Sequence, residues 1–395
     1  MNRKEIILQE RAVDSAADVV VIGAGSVGLP LSNYLARKGL KVRVIDREAS
    51  PGRGQNKAAI GGMRATHSDP AKIRICLRSL DLIRHMKEEH GIDVNWVQGG
   101  YLFPAYDEAK ERALRSLLAM QKQFGLHIDW IGPDEVEALV PGINRQGLRG
   151  GTYSPEDGSA SPLKVAAAYY QLAREAGAKF SFCEEVVGFR TQGGRLIAVR
   201  TNRATYPCNM VVDASGADAR DTAALLGLDV PVFPDSHEAG ITEPVQPLFR
   251  PMVVDTRSDQ ESANYYFYQN KEGQVVFCIT PCPPIPGKEC DCTSAFLPLV
   301  VRRMVALYPR LRYLRVRRTW RGLYPMTPDG FPIVGFSNEL DNLLLAVGMC
   351  GQGFMLGPGL GLILAEVIAE RSRRFDDILE QLSPYRAFTT EEVLK

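Results

Sequence analysis

The segment Asp18-Val19-Val20-Val21-Ile22-Gly23-Ala24-Gly25-Ser26-Val27-Gly28 contains an apolar run followed by three closely spaced glycines. Residues 31–38 have the composition of a helix and stop at Gly39. Residues 41–46 (KVRVID) are then a second apolar run that ends in a carboxylate. This order predicts a strand, a glycine turn, a helix and a second strand.

The three glycines have the spacing Gly-x-Gly-x-x-Gly, which suits the binding of a dinucleotide. Gly23 allows the tight turn, Gly25 lets the backbone approach a pyrophosphate, and Gly28 lets the helix pack closely on the strand. The unpaired N–H groups and positive dipole end of the helix N-terminus attract phosphate. Asp46 is suited to accept hydrogen bonds from ribose hydroxyls, and an acid there favours FAD or NAD over NADP, whose 2′-phosphate it would repel. We therefore predict a dinucleotide site at this turn.

The bulk composition is that of a globular protein with balanced charge. The chain has 395 residues, with 47 Lys and Arg against 46 Asp and Glu, so no net field attracts nucleic acid or acidic lipid. Its length fits about two domains. We find no apolar run near the ~18 residues of a membrane span and no secretory signal. We therefore expect a cytoplasmic protein whose 8 cysteines are reduced.

Hydrophobic periodicity and turn residues predict the later elements. The predicted helices are about 70–90, 107–125, 133–140, 162–176, 294–308 and 359–371, and the predicted strands are 96–103, 179–190, 195–201, 204–213, 313–320 and 342–347. The last strand and helix close the sheet about 300 residues after the first unit, which predicts a discontinuous domain interrupted by insertions. No second glycine triplet of this kind occurs in mid-chain, which favours one dinucleotide and a substrate that delivers electrons directly.

Three further segments, together with the N-terminal turn, match a pattern shared by members of one protein family. They are Gly61-Gly62-Met63-Arg64, 319–335 (TWRGLYPMTPDGFPIVG) and 346–355 (AVGMCGQGFM), with weaker matches at 155–162 (PEDGSASP) and 212–217 (VDASGA). Together they resemble the D-amino acid oxidase-like FAD oxidoreductases, in the right order and over nearly the whole chain. The branch they resemble most contains the sarcosine oxidase β-subunit, glycine oxidase and the dye-linked proline dehydrogenase β-subunit. The resemblance implies FAD as the cofactor.

The expected fold is α/β, with a discontinuous Rossmann-like FAD-binding domain and a second, strand-rich α+β substrate domain. We assign 18–90, 150–220 and 320–372 to the FAD-binding domain, 91–149 and 221–319 to the substrate-binding domain, and 1–17 and 373–395 to terminal extensions. The family pattern and the glycine turns together assign the cofactor residues. They are Gly23, Gly25, Ser26, Val27, Gly28, Asp46, Arg47, Gly61, Gly62, Val187, Ala214, Gly216, Gly351, Gln352, Gly353, Phe354 and Met355.

The C-terminal glycine turn has a physical role of its own. Gly351 and Gly353 let backbone N–H groups reach a flat ring, and we expect a helix to begin near 358–359. The dipole of that helix favours the negative charge that reduced flavin carries at N1 and the C2 carbonyl. Gly322 stands where monomeric sarcosine oxidases carry a cysteine bonded to the flavin, so we expect non-covalent FAD.

The resemblance implies oxidation of the C–H bond next to an amine nitrogen, with hydride transfer to flavin N5, to give an imine. At the position of Arg64 the family has an arginine that holds the substrate carboxylate, and the planar guanidinium suits that role. A surface or phosphate-contacting arginine is the alternative. Met355 replaces a lysine that helps to bind the carboxylate in monomeric sarcosine oxidases. Carboxylate binding is therefore expected to be weaker here or to involve another residue.

Aromatic residues and one histidine complete the candidate catalytic set. His237 resembles a histidine of the proline dehydrogenase branch that borders the pocket or helps to deprotonate the amine, and an ordinary structural histidine is the alternative. By family analogy Tyr324 and the run 265–268 (YYFY) line the pocket, although alternating aromatic residues in a strand also form plain core. The candidate catalytic residues are therefore Arg64, His237 and Tyr324.

Four cysteines raise the question of a metal. Their spacing, Cys-x3-Cys-x7-Cys-x-Cys at Cys278, Cys282, Cys290 and Cys292, matches no common zinc or iron–sulfur pattern. We expect free thiols and no metal.

The function we expect is FAD-dependent oxidation of a small amino acid of the sarcosine, glycine, proline or hydroxyproline class. Oxidation of a 2-hydroxy acid on the same scaffold is one alternative. Another is the catalytic subunit of a multi-subunit amine dehydrogenase, with 1–17 and 373–395 left for partner subunits that receive electrons. We expect no nucleic acid partner and no membrane span. A purely structural FAD is poorly motivated because the flavin-facing motifs at both ends of the chain are intact.

Overall fold

A computed structural model describes residues 11–12, 16–389, 391–392 and 394. The strands are β1 (Arg11–Ala12), β2 (Ala17–Ile22), β3 (Val42–Ile45), β4 (Gly62–Met63), β5 (Tyr101–Ala105), β6 (Asp129–Ile131), β7 (Gly150–Ser154), β8 (Gly158–Ser159), β9 (Lys179–Ser181), β10 (Val186–Gln192), β11 (Arg195–Thr201), β12 (Ala204–Asp213), β13 (Phe233–Pro244), β14 (Met252–Asp255), β15 (Ser262–Gln269), β16 (Gln274–Pro281), β17 (Val316–Met326), β18 (Ile333–Phe336) and β19 (Leu343–Val347).

The helices are α1 (Gly28–Arg37), α2 (Pro70–Arg84), α3 (Met86–His90), α4 (Glu108–Gln123), α5 (Pro133–Leu139), α6 (Pro162–Glu175), α7 (Ala219–Ala224), α8 (Phe296–Leu307), α9 (Gly353–Glu370) and α10 (Asp376–Gln381). Short 3₁₀ turns occur at Gln55–Ala58, Gly216–Asp218 and Pro309–Tyr313. Asp69, Asp107 and Ser161 accept hydrogen bonds from the first turns of α2, α4 and α6, which explains where these helices begin.

Most predicted elements are present, with several boundary corrections. The predicted helix 70–90 is divided into α2 and α3, the predicted strand 179–190 is divided into β9 and β10, and the strand expected at 96–103 is Tyr101–Ala105. The helix expected near 358–359 begins earlier, at Gly353, and includes Pro358. The early start puts the N-terminus of α9 directly after the glycine turn.

The first sheet is the Rossmann-like one. Its parallel strands lie in the order β9-β3-β2-β12-β19, and β18 adds antiparallel to β19. Helices α1, α2, α6 and α9 pack together in one core with one face of this sheet. Its strands are continuous apolar runs because both faces are covered. The carboxyl ends of β2, β3 and β12 lie side by side, at Ile22, Ile45 and Asp213.

The second sheet has eight strands in the order β17-β13-β16-β15-β14-β5-β7-β6. One face packs against α5 and α8, and the other carries a separate cluster that includes Tyr101, Met252 and Val254. Strands β7 and β17 both belong to this sheet. The predicted boundaries at 150 and 320, which assigned most of these residues to the FAD-binding domain, therefore cut into the second sheet.

Helix α9 and the C-terminal region correct two further expectations. Helix α9 is 18 residues long with a mean hydropathy of 1.5, so an apolar stretch of membrane-spanning length does exist. It is 61% buried and packs against α1 and α2, as a core helix of a folded domain does. The described part of the predicted extension 373–395 is not free, because Phe375, Ile378 and Leu382 lie in the core, and residues 390, 393 and 395 lie outside the described residues. Of the predicted extension 1–17, residues 1–10 and 13–15 lie outside the described residues, and β1 pairs with β12.

Candidate active site

A cavity of about 730 Å³ is lined by residues of both sheets and of the loops between them. One end is formed by the loops that follow β2, β3 and β12, which is where open α/β sheets bind ligands. The other end is formed by the second sheet and by Arg64. Fifteen of the seventeen predicted cofactor residues line this cavity: Gly23, Gly25, Ser26, Val27, Asp46, Arg47, Gly61, Gly62, Ala214, Gly216, Gly351, Gln352, Gly353, Phe354 and Met355.

Two of the predicted cofactor residues do not line the cavity. Gly28 lies beneath the turn, where an added Cβ would be 1.9 Å from the carbonyl oxygen of Gly23, so it serves the close packing of α1 on β2. Val187 is 44% exposed, and its neighbour Val186 lines the cavity instead. Successive side chains of a strand point to opposite faces, so a one-residue error moves the contact to the wrong face.

The N-terminal glycines Gly23 and Gly25 have different roles in the turn. Gly23 has φ +104°, and an added Cβ would be 2.5 Å from the carbonyl oxygen of Ala214, so only glycine fits there. Gly25 differs, because an added Cβ would meet no atom within 4 Å. The backbone of Gly25 is therefore open to the cavity, as close approach to a pyrophosphate requires.

Asp46 stabilises the turn as well as lining the cavity. Its carboxylate accepts hydrogen bonds from the backbone N–H groups of Ala24 at 2.6 Å and Glu48 at 2.8 Å. Burial raises the pKa of Asp46, although these two N–H groups lower it. Arg47, whose partner in the described residues is Asp218 at 2.8 Å, lines the same end.

The C-terminal glycine turn brings the two ends of the chain together. An added Cβ at Gly351 would be 2.2 Å from the ring of Tyr324, and one at Gly357 would be 1.9 Å from the carbonyl oxygen of Ser26. These contacts hold the start of α9 against both the N-terminal turn and the second sheet. The start of α9 therefore lies in the cavity wall, where Gln352, Gly353 and Phe354 are lining residues and the first N–H groups of the helix have no partner within it.

The cavity wall suits an extended dinucleotide. Gly25, Gly54 and Gly216 line it, and an added Cβ at each would project into open space. One buried side-chain atom in the same wall, Oε1 of Gln352, has no hydrogen-bond partner among the described residues. A groove lined by bare backbone, with an unpaired polar atom, offers both the close approach and the hydrogen bonds that FAD requires.

Arg64 directly follows β4 and lines the cavity. Its side chain is buried, its Nη1 donates to the carbonyl oxygen of Thr66, and its Nη2 donates to that of Leu394 at 2.6 Å. Asp157 holds this loop by accepting from the N–H of Ala65 at 2.8 Å and the hydroxyl of Thr66 at 2.7 Å. Burial raises the pKa of Asp157 to about 6. Arg64 is therefore an interior cation held in a fixed orientation.

His237 and Tyr324 form a stacked pair in the cavity wall. Their ring centroids are 3.7 Å apart and their planes differ by 11°. Nε2 of His237 lies 3.0 Å from Oδ2 of Asp235, and its buried Nδ1 has no partner in the described residues. Burial raises the pKa of Asp235. His237 and two backbone N–H groups lower it by more, so the pKa lies below its usual value. The ionised carboxylate is thus suited to accept a hydrogen bond from Nε2–H of His237.

Successive residues of the aromatic run in β15 lie on opposite faces of the sheet. Tyr266 lines the cavity, with its hydroxyl 2.6 Å from that of Tyr324, and Tyr268 donates to the carbonyl oxygen of Ile60. Tyr265 and Phe267 lie on the opposite face, in the core beneath α8. Sequence reasoning missed Asp235, Tyr101 and Met252 in the cavity wall. Strand alternation from His237 would have indicated Asp235, whereas no local pattern indicates the other two.

The four cysteines that are close in sequence do not form a metal site in the described part of the chain. Cys278 is buried in β16, whereas Cys282, Cys290 and Cys292 are exposed and unbonded. Within the described part of the chain, no group of three His, Cys, Asp or Glu residues is arranged to hold a metal ion.

Comparisons with known proteins agree with this geometry. The family model described as FAD dependent oxidoreductase (DAO) matches residues 18–367. A solved structure of L-proline dehydrogenase from P. horikoshii superposes with a TM-score of 0.88 at 31% identity, covering 95% of this chain and 98% of that one.

Two curated proteins extend the comparison. Glycine oxidase of Geobacillus kaustophilus is 25% identical over 366 residues, which are 91% of this chain and 94% of that protein. Sarcosine oxidase subunit beta of Rhodobacter capsulatus is 24% identical over 366 residues, which are 89% of this chain and 85% of that protein. The expected resemblance, the two-part fold and the FAD cofactor are thereby confirmed. With a cavity that joins both glycine turns and a family match over almost its whole length, the chain belongs to the DAO family of FAD-dependent oxidoreductases.

Proposed function

We propose that this enzyme oxidises the carbon–nitrogen bond of a small amino acid or N-alkyl amino acid to an imine. The observation that carries the proposal is Arg64, a buried cation at the end of the cavity beyond the glycine turns. A planar guanidinium in a water-poor site favours a carboxylate. The relatives glycine oxidase, sarcosine oxidase subunit beta and L-proline dehydrogenase are all named after substrates of this class.

Each residue at this end has a proposed role. Bound FAD supplies the hydride acceptor. Arg64 orients the substrate by its carboxylate, and the free Nδ1 of His237 accepts a hydrogen bond or a proton from the amine. Asp235 keeps His237 in the tautomer that leaves Nδ1 unprotonated. The hydroxyls of Tyr266 and Tyr324 complete the polar wall. Hydride transfer then depends mainly on how a neutral amine substrate is placed relative to the hydride acceptor.

We also propose that the FAD is bound non-covalently. An added Cβ at Gly322 would lie 2.5 Å from Cβ of Ala58, so the position that carries a flavin-bonded cysteine in monomeric sarcosine oxidases has no room for a side chain here. Acid precipitation of the holoenzyme should release all of the yellow flavin into the supernatant. Colour that stays with the pellet would contradict this assignment.

The direct test of the activity is an anaerobic screen. Sarcosine, glycine, proline, hydroxyproline and matched 2-hydroxy acids are mixed with the holoenzyme, and the visible absorbance of the oxidised flavin is followed. We expect at least one amino acid to bleach the flavin. Bleaching by hydroxy acids alone would identify the enzyme as a 2-hydroxy acid dehydrogenase and overturn the proposal.

A second proposal concerns partners and location. The relatives named sarcosine oxidase subunit beta and hydrogen cyanide synthase subunit HcnC carry subunit names, and we propose that this chain is the catalytic subunit of a comparable cytoplasmic assembly. Native mass measurement and a comparison of dye with oxygen as electron acceptor test this. A monomer that turns over with oxygen as fast as with dye would contradict it.

A further inference from the structure

The C-terminal residues 391, 392 and 394, here called the C-terminal strap, reach into the active site. Leu394 is 3% exposed and packs in the cluster of Tyr101, Met252 and Val254, all three of which line the cavity. Its carbonyl oxygen accepts the 2.6 Å hydrogen bond from Nη2 of Arg64. Glu391 lines the cavity as well. The strap is thus part of the wall around the predicted carboxylate position.

A buried ion pair anchors the strap. Oε2 of Glu392 lies 2.9 Å from Nζ of Lys72 on α2, and both side chains are fully buried. Ser68 donates to the other carboxylate oxygen, which also accepts from the N–H of Leu394 at 3.0 Å. Lys72 is held in turn by the carbonyl oxygen of Gly330 at 3.0 Å. Such a fully partnered pair fixes a position more than it adds net stability.

The strap and a substrate carboxylate compete for the same donor. Arg64 directs Nη1 at Thr66 and Nη2 at Leu394, so both terminal nitrogens already donate to main-chain carbonyls. A carboxylate that approaches Nη2 along the direction of this hydrogen bond would have to displace the carbonyl oxygen of Leu394. Because a charged acceptor forms a hydrogen bond roughly twice as strong as a neutral one, a carboxylate is able to take this donor from Leu394.

We propose that the C-terminal strap is a substrate-displaced gate: Leu394 occupies the carboxylate grip of Arg64 in the resting enzyme and leaves it when an amino acid binds. The proposal rests on the carboxylate role of Arg64. It explains how an interior arginine stays satisfied without substrate, since an unpaired buried donor is costly. While the strap is closed, the side chain of Leu394 shields this donor from water.

The first experiment needs no substrate. Hydrogen exchange of the C-terminal peptide is measured by mass spectrometry in the FAD holoenzyme, with Arg64→Met and, as a matched control, Arg115→Met on α4. We expect the strap amides to exchange at least five-fold faster in Arg64→Met and at an unchanged rate in the control. Unchanged exchange in Arg64→Met, with flavin retained, would overturn the gate.

The second experiment measures the effect on binding. A chain lacking residues 391–395 and the full-length Glu392→Gln variant are compared with Glu380→Gln, an exposed control on α10. With an amino acid that bleaches the flavin, the gate predicts an apparent KM at least three-fold lower in both test variants. An unchanged or higher KM, with normal flavin content, would show that the strap only builds the wall. If no amino acid bleaches the flavin, the proposed function fails, and the exchange result still decides whether Arg64 holds the strap.

Discussion

The two ends of the cavity are built in different ways. The dinucleotide end comes from the loops that follow β2, β3 and β12, in which the glycine backbone of residues 23–28 and the Asp46 carboxylate form a central part of the surface. The end proposed to bind substrate is made of side chains from separate segments, among them Arg64, His237 and Tyr324, and Leu394 contacts it through Arg64. A backbone site is specified by glycines at fixed spacing, whereas a side-chain site exists only once both sheets have packed.

The largest expected effect tests the backbone end. In Gly25→Val, the new side chain projects into open cavity without meeting other atoms of the protein. We therefore expect a folded protein whose affinity for FAD falls about 1,000-fold, roughly 4 kcal/mol. Titration of the apoprotein with FAD, followed by flavin fluorescence, measures this, and circular dichroism checks the fold.

Gly188→Val is the matched control for this change. Gly188 lies on β10, where an added Cβ has only the Arg200 side chain near it, at 3.8 Å. FAD affinity should stay at the wild-type value. Full flavin content in Gly25→Val would show that the turn does not cradle the cofactor.

Arg64→Met tests the side-chain end. Loss of two charge-assisted hydrogen bonds to a carboxylate costs about 3 kcal/mol, which corresponds to a KM roughly 100-fold higher. FAD affinity should change little, because Arg64 is not part of the N-terminal glycine turn and donates to Thr66 and Leu394. Steady-state kinetics of Arg64→Met and the exposed control Arg115→Met measure the effect, and an unchanged KM would remove Arg64 from the substrate site.

Asp46→Asn tests how much a side chain adds at the backbone end. The carboxylate accepts from the N–H groups of both Ala24 and Glu48, and an amide retains only one of these acceptors. We expect FAD affinity to fall about 10-fold, which is one lost hydrogen bond to a charged group. Asp18→Asn, in which the altered residue caps the N–H of Lys41 on the surface, should bind FAD normally. Equal losses in both variants would indicate a general loosening of the sheet.

The smallest effect is expected for Tyr324→Phe. The ring and its stacking on His237 are retained, and only the hydroxyl that meets Tyr266 is lost. One neutral hydrogen bond is worth about 1 kcal/mol, so we expect flavin reduction to slow about five-fold. Anaerobic stopped-flow absorbance measures the rate, with the 80% exposed Tyr313→Phe as the control. A rate reduced more than 100-fold would make this hydroxyl a direct participant in the reaction.

The accuracy of the sequence predictions follows this difference between the two ends. Gly23, Gly25, Asp46 and the C-terminal glycine turn were found because their spacing and neighbouring elements carry the signal. Arg64, His237 and Tyr324 were placed by family resemblance, and the structure brings all three to one end of the cavity. The missed cavity residues Tyr101 and Met252 are apolar or aromatic strand residues that look like plain core in sequence.

The sequence by itself determined the strand–turn–helix–strand unit and its dinucleotide chemistry, because β2, the glycine turn, α1 and β3 follow one another directly along the chain. Only the tertiary structure decided that Asp235 orients His237, that Tyr266 meets Tyr324, and that Leu394 occupies the Arg64 donor. The last of these pairs residues 330 positions apart. Contacts at that separation depend on how two sheets and the C-terminal strap pack together, and no local pattern in the sequence encodes them.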